Sequence, residues 1–305
     1  MASRVLVLGG TGMLGNAVIG AFSERGLAVT ATTRDVSTLP ADRRSIFVPF
    51  DVTVDRLDEV LSGYGRDDYV INCIGVIKHH IDDRNAAHRR NAILINSEFP
   101  YALDELARRQ GFRVVQIATD CVYSGTMGFY DETSPHDPTD VYGKTKSLGE
   151  VPSSQMLNLR CSIIGPENKN GKSLLEWVLA HDGGSTFDGY TDHLWNGVTA
   201  QAFGRVAAGI VLTKNQLAGT FHLVPADVVD KRTLSELILD AYGKRDISVR
   251  ATATGHAVDR TLATTFPETN ARLWDDGGYG TIPTIKFMVG DLAGGQTIRP
   301  KEETQ

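Results

Sequence analysis

Tyr142 and Lys146 lie four residues apart in the run Tyr142-Gly143-Lys144-Thr145-Lys146. The run reads as the opening of a helix, where residues four apart share a face with about 5–6 Å between them. That spacing has a chemical use. A free phenol releases its proton only at a pH of about 10, too high for acid–base work at neutral pH, and a neighbouring ammonium lowers that value by favouring the phenolate. The pair then becomes a tunable proton donor. Thr119 ends an apolar run beginning at Val114 that reads as a buried parallel strand. A hydroxyl delivered beside the phenol could hold a carbonyl oxygen while negative charge develops on it. Pairs of the form Tyr-x-x-x-Lys are frequent on solvated helices, so the chemical reading rests on the company this one keeps.

Residues 4–8 (RVLVL) form a short apolar run, followed directly by Gly9-Gly10-Thr11-Gly12-Met13-Leu14-Gly15 and a helical pattern through Arg25. Strand, glycine-rich turn and helix in that order are the context a dinucleotide fingerprint requires. Gly9, Gly12 and Gly15 would allow a tight turn, close approach of a diphosphate and close helix packing, with Thr11, Met13 and Leu14 on the same turn. A second strand over 27–32 leads into Thr33-Arg34-Asp35. An acidic residue there would bond a ribose 2′-hydroxyl, whereas an arginine accommodates a 2′-phosphate. Arg34 therefore tilts the expectation towards NADP(H), and Asp35 next door keeps NAD(H) open. A third strand over 45–50 would bring Asp51 and Val52 near an adenine ring, although Asp51 could equally satisfy turn amides. Thr53 is the expected N-cap of the next helix. A fourth strand over 69–74 would carry Cys73, Ile74 and Gly75 to the cofactor.

After it comes Lys78-His79-His80-Ile81-Asp82-Asp83, whose histidine spacing fits no zinc pattern. The expectation is a solvated or substrate-facing loop, with Lys78 and His79 as substrate candidates and no metal site. A helix over about 91–110 carries Asn96 in an otherwise apolar stretch, where a packed, hydrogen-bonded amide is the plain reading. A sixth strand over 155–161 completes an alternation of strands and helices that implies a parallel sheet with right-handed crossovers. The fold class is α/β, a doubly wound parallel Rossmann sheet over residues 1–165. A mainly substrate-binding region over 166–305 is smaller and less regular, with segments near 196–225 returning to the first unit. Such regions at the C-terminal edge of a sheet shape substrate pockets. Trp195 and Asn196 are candidates there, because an aromatic face stacks on a base or sugar and an amide bonds a hydroxyl; core packing is the equal alternative for Trp195. Lys172 could meet a diphosphate or simply lie on the surface.

At 305 residues the chain can bury a substantial core, and 41% hydrophobic and 22% charged residues describe an ordinary globular protein. The net charge of −6, with no basic block, argues against nucleic acid as a partner. The three cysteines, Cys73, Cys121 and Cys161, lie in or beside expected buried strands and read as core thiols of a reducing compartment. No signal peptide and no bilayer-length apolar run is legible, so no membrane partner is expected and the cytoplasm is the expected location. A homodimer is the assembly kept open.

Several ordered stretches resemble a family. VLGGTGMLG, VINCIG, QIATDCVYSG, YDETSPHDPTDVYGKTK and LRCSIIG together resemble the extended short-chain dehydrogenase/reductases, and within them the branch of dTDP-4-dehydrorhamnose reductase and related nucleotide-sugar reductases. The likeness covers roughly the first 165 residues. It implies Thr119, Tyr142 and Lys146 as the catalytic triad, with Asn96 supporting a proton relay. It also implies hydride transfer from NADPH to a keto carbon, C4 being expected, of a nucleoside-diphosphate 6-deoxy sugar. Two departures bear on the substrate. Dehydratases of the superfamily follow the hydroxyl residue with Asp-Glu, whereas here Asp120-Cys121 follows Thr119, which favours simple reduction. The rhamnose branch usually has tyrosine at the position of Cys121; Asp120 and Cys121 are accordingly substrate candidates. An epimerase that oxidises and re-reduces one sugar, or a non-catalytic regulatory subunit like that of methionine adenosyltransferase, are the alternatives.

Overall fold

The structure, a computed structural model, describes residues 3–167 and 173–294. Strand β1 (Val5–Leu8) is buried along its whole length, because helices cover both faces of the sheet. Its side chains alternate: Val5 and Val7 join one apolar core, Leu6 and Leu8 the other. Around it are β2 (Thr30–Thr33), β3 (Phe47–Pro49), β4 (Tyr69–Asn72), β5 (Arg113–Ala118) and β6 (Met156–Arg160). After the short strands β7 (Ile163–Ile164), β8 (Thr186–Tyr190), β9 (His193–Trp195) and β10 (Val198–Thr199), strand β11 (Gly219–His222) returns to the main sheet beside β6. The result is a seven-stranded parallel sheet in the order β11-β6-β5-β4-β1-β2-β3. The strand order reverses between β1 and β4, the point where open α/β sheets leave a crevice at their carboxyl ends.

Helix α1 (Met13–Glu24) packs against α7 (Ala200–Leu212) so tightly that a Cβ on Gly204 would lie 2.9 Å from the Ala17 carbonyl oxygen. The remaining strands, β12 (Val229–Asp230), β13 (Ser248–Thr252) and β14 (Val258–Asp259), build two small sheets with β8 and β9 at the C-terminal side of the main one.

Element boundaries differ from the sequence expectation where local geometry overrides apolar pattern. Strand β2 begins at Thr30, because Leu27 is still held in the turn leaving α1 by its N–H to Phe22 O. Residues Ala41–Ile46 wind into a 3₁₀ turn after Pro40 and leave β3 only three residues. Thr53 caps no helix: its N–H and hydroxyl both donate to Asp51 Oδ1, and the short α2 (Leu57–Val60) starts after Arg56. The helix expected from residue 91 begins earlier. Helix α3 (Ala86–Ile93), capped by Asn85, passes through a π turn (Leu94–Glu98) into α4 (Phe99–Gln110). Its first residues, Ala-Ala-His-Arg-Arg, are largely exposed and carry no apolar period, so pattern alone missed them.

Candidate active site

A cleft of about 820 Å³ crosses the carboxyl ends of the strands. One end is the glycine turn. Gly9 has φ +78°, and a Cβ on Gly15 would stand 2.2 Å from the Gly9 carbonyl oxygen, so neither position admits a side chain. Gly12 is the N-cap of α1 and offers no side-chain acceptor, which leaves the first N–H groups of that helix facing the cleft beside Thr11, Met13 and Leu14. Such a cradle fits a diphosphate. Thr33, Arg34, Asp51 and Val52 line the adjoining wall, as do Cys73, Ile74 and Gly75 from the β4 end. One oxygen of Asp51, Oδ1, accepts from both the N–H and the hydroxyl of Thr53, which holds the carboxyl's proton affinity below the ordinary carboxylate range. Asp35, which does not line the cleft, accepts on Oδ1 from Ser37 N–H at 2.8 Å and Ser37 hydroxyl at 2.6 Å.

The other end carries Thr119, Tyr142 and Lys146, all three on the cleft wall. Thr119 follows β5 and caps a 3₁₀ turn over Asp120–Val122, accepting from Cys121 N–H at 3.2 Å. Tyr142 and Lys146 lie on α5 (Val141–Leu148), whose N-cap Asp140 accepts from Gly143 N–H at 2.8 Å. Close backbone approach seats this helix. A Cβ on Gly143 would meet Cys121 O at 2.3 Å, and one on Gly149 would meet Asn96 O at 1.8 Å. Beneath it runs a row of buried amides: Asn72 Nδ2 donates to Gln116 Oε1 at 2.9 Å, and Gln116 Nε2 donates to Gly149 O at 2.7 Å. Asn96 sits in the π turn, a feature common at functional sites. Its amide accepts from Val76 N–H and donates to Val76 O, both at 2.9 Å, and donates to Thr145 Oγ1 at 3.2 Å. Asn96 thus pins the loop after β4 to the helix bearing Tyr142.

The expected acidification of the phenol by Lys146 is not what the site provides. Burial pushes the Tyr142 phenol well above its ordinary value, the neighbouring Cys121, Asp120 and Asp140 add to the rise, and a hydrogen bond with Thr119 only partly offsets them. Lys146, itself buried, is driven down to about 8 by desolvation against the opposing pull of Glu150, and its Nζ donates to Ile117 O at 2.9 Å. The resting phenol is therefore a fully protonated donor. Burial raises the thiols of Cys73 and Cys121 to about 12 and that of Cys161 further, so all three remain protonated at neutral pH and supply no thiolate nucleophile.

The substrate candidates divide. Asp120 and Cys121 line the cleft. Lys78 and His79 do not: Lys78 Nζ pairs with Asp140 Oδ2 at 2.8 Å, and His79 is exposed, while His80 takes the place on the wall. Trp195 is buried in β9 with its indole N–H donating to Ser162 Oγ at 2.9 Å. Asn196 exchanges two hydrogen bonds with the Leu262 backbone, at 2.7 and 2.9 Å. Neither lines the cleft: the polar group of Trp195 is tied to Ser162 and that of Asn196 to the Leu262 backbone. Lys172 lies outside the described residues. The sequence reading also passed over Ser162 and Ile163 on the wall, and over two cations facing Asp120, Lys231 and Arg260. No local pattern marks Lys231 or Arg260, since each comes from an element distant in sequence. Among the described residues no group of three His, Cys, Asp or Glu is placed to hold a metal ion, and no helix is long and apolar enough to cross a membrane.

Residues 3–264 match the model of the family described as the RmlD substrate binding domain. The chain belongs to this family. Among RmlD-related proteins it is similar to the Haloferax volcanii protein named "Probable low-salt glycan biosynthesis reductase Agl14", at 27% identity over 78% of this chain and 79% of the relative. It is also similar to dTDP-4-dehydrorhamnose reductase of Salmonella typhimurium, at 26% identity over 61% of this chain and 64% of that one. The crystal structure of dTDP-4-dehydrorhamnose reductase from Bacillus anthracis in complex with NADP superposes with a TM-score of 0.76 at 16% identity, covering 97% of this chain and 100% of that chain. The seven-stranded parallel sheet with flanking helices is thus the Rossmann-like fold shared with nucleotide-sugar reductases and epimerases of known structure.

Proposed function

We propose that this RmlD-family chain is an oxidoreductase that reduces the keto group, at C4, of a nucleoside-diphosphate 4-keto-6-deoxy sugar, with NADP(H) preferred over NAD(H). The observation that carries the reading is the meeting of Thr119, Tyr142 and Lys146 on the same cleft as the glycine turn. Names of relatives, such as dTDP-4-dehydrorhamnose reductase and dTDP-4-keto-6-deoxy-D-glucose reductase, support the substrate class. The cofactor preference is supported by Arg34, which lines the cleft wall where its neighbour Asp35 does not.

A reduced nicotinamide dinucleotide bound along the cleft would supply the hydride. The chain's own residues do the rest. Gly9, Gly12 and the start of α1 would hold the diphosphate, Arg34 would hold a 2′-phosphate, and Lys146 would bond the ribose hydroxyls next to the nicotinamide. Thr119 donates to the keto oxygen. Tyr142 gives its proton to that oxygen as it becomes an alkoxide, an O–H bond breaking on tyrosine and forming on the sugar. Acid catalysis of this kind contributes about 10²–10⁴-fold.

The test is NADPH oxidation by the purified chain with dTDP-4-dehydrorhamnose and related nucleotide-linked 4-keto-6-deoxy sugars. Tyr142→Phe is expected to lose at least about 100-fold in kcat while NADPH binding survives. Retained turnover removes Tyr142 from the mechanism. Copurified NAD with sugar interconversion and no net NADPH consumption replaces reduction by epimerisation.

A further inference from the structure

One hydroxyl on the cleft wall is held from behind by the C-terminal lobe and keeps a proton to give. Ser162 lies two residues beyond the end of β6, whose last residue Arg160 pairs with Ala118, the last of β5. It therefore stands one strand over from the turn that carries Thr119, and it lines the cleft there. Val198 N–H fixes its backbone, donating to Ser162 O at 2.8 Å. Trp195 fixes its side chain: the indole Nε1–H donates to Ser162 Oγ at 2.9 Å. The indole is itself packed in place. Trp195 is 4% exposed, a Cβ on Gly197 would lie 2.5 Å from its Cζ2, and Lys231 Nζ stands 5.2 Å over the ring.

An indole N–H only donates, so it occupies an acceptor site of Ser162 and leaves the hydroxyl proton uncommitted. Among the described residues that proton has no acceptor. Cys161 and Ile163, which flank Ser162 on the wall, offer a thiol, a weak donor, and an apolar side chain. Ser162 is thus the strong donor of this stretch. In a 4-keto-6-deoxy sugar the two carbons beside C4 differ: C3 bears a hydroxyl, whereas C5 bears the ring oxygen and the methyl group. With the C4 oxygen held by Thr119 and Tyr142 at the end of β5, the neighbouring carbon that reaches across to β6 meets a hydrogen-bond donor, which suits C3. We propose that Ser162 donates a hydrogen bond to the C3 oxygen of the sugar and that Trp195 is the positioning residue that turns the Ser162 proton into the cleft. This rests on the reductase reading above. The C3 oxygen is uncharged before and after reduction, so the bond holds substrate and transition state alike and is expressed in KM rather than kcat.

The experiment measures NADPH oxidation with dTDP-4-dehydrorhamnose, related nucleotide-linked 4-keto-6-deoxy sugars and their 3-deoxy analogues, beside NADPH affinity by fluorescence titration without sugar. Ser162→Ala is expected to raise KM for the 3-hydroxy sugar about 2- to 12-fold, the worth of one neutral hydrogen bond, with kcat and NADPH affinity within about twofold of the unmutated chain. With the 3-deoxy analogue the same change is expected to move KM by less than about twofold, since the partner is gone. Trp195→Phe keeps an aromatic ring without the N–H. It is expected to raise KM for the 3-hydroxy sugar in the otherwise unchanged chain and to add nothing in the Ser162→Ala background. If Trp195→Phe does not fold, Ser162→Ala with the two sugars decides alone. An unmoved KM, an equal rise with both sugars, or weakened NADPH binding, which assigns Ser162 to the cofactor, each overturns the proposal and leaves the reductase reading intact. Equal losses from Trp195→Phe in both backgrounds overturn the role of Trp195. Absence of turnover of every such sugar by the unmutated chain overturns both readings.

Discussion

His222 gives the sharpest quantitative prediction. It is 1% exposed on β11. Its Nδ1 lies 2.6 Å from Ala263 O and its Nε2 lies 2.5 Å from a guanidinium nitrogen of Arg160, which Glu150 grips through both carboxylate oxygens. A carbonyl only accepts and a guanidinium only donates, so the ring is held neutral with its proton on Nδ1. Burial, and then the Arg160 charge, push its protonation down from 6.5 to about 4, against the pull of Glu132, Ala263 and Glu150. The unfolded chain binds this proton near its ordinary value and the native chain does not until the pH is much lower. Stability therefore falls as pH drops through that interval, and is complete above it. From 6.5 to about 4, at about 1.4 kcal/mol per pH unit, the loss is about 3 kcal/mol.

The assay is urea unfolding at a series of pH values across this range, comparing the native sequence with His222→Gln, which keeps an acceptor for Arg160 but cannot titrate. His136 bends the curve in the same direction, since burial lowers its protonation too, but it is common to both chains and cancels in the difference. The gap in unfolding free energy between the two chains should narrow by about 3 kcal/mol from neutral pH to about pH 4. Parallel curves would show that His222 is not the neutral, buried acceptor described.

Two further outcomes test the architecture. Gly15→Ala drives a methyl onto the Gly9 carbonyl oxygen; overpacking of this kind costs about 1–3 kcal/mol, so NADPH affinity, measured by fluorescence titration, should weaken roughly 5- to 150-fold. Asn96→Ala leaves the N–H and C=O of Val76 without their side-chain partner, and should cost about 1–3 kcal/mol of stability by chemical denaturation and reduce kcat, because the loop after β4 is no longer tied to α5.

The first 165 residues were legible because their information is local. A buried parallel strand announces itself as an unbroken apolar run, a phosphate-binding turn as glycines at fixed offsets, and a helix face as residues four apart. Val5–Leu8, Gly9, Gly15, Thr119, Tyr142 and Lys146 could all be placed from their neighbours in the chain. What depends on distant segments meeting could not. The π turn at Asn96 is set by its fit to Thr145 and Gly149 on another helix. The acidity of the Tyr142 phenol is set first by desolvation and not by the ammonium expected from the Tyr-x-x-x-Lys spacing. Trp195 and Asn196 looked available because composition shows a polar or aromatic group and not whether its partner, here Ser162 or Leu262, is already in place. Lys231 carries no signal in its own segment; its charge is felt by Asp120, more than a hundred residues away in sequence, only through the fold. Sequence periodicity decided the elements and the ends from which chemistry is done, while burial and cross-chain pairing, both properties of the packed molecule, decided the charge states there.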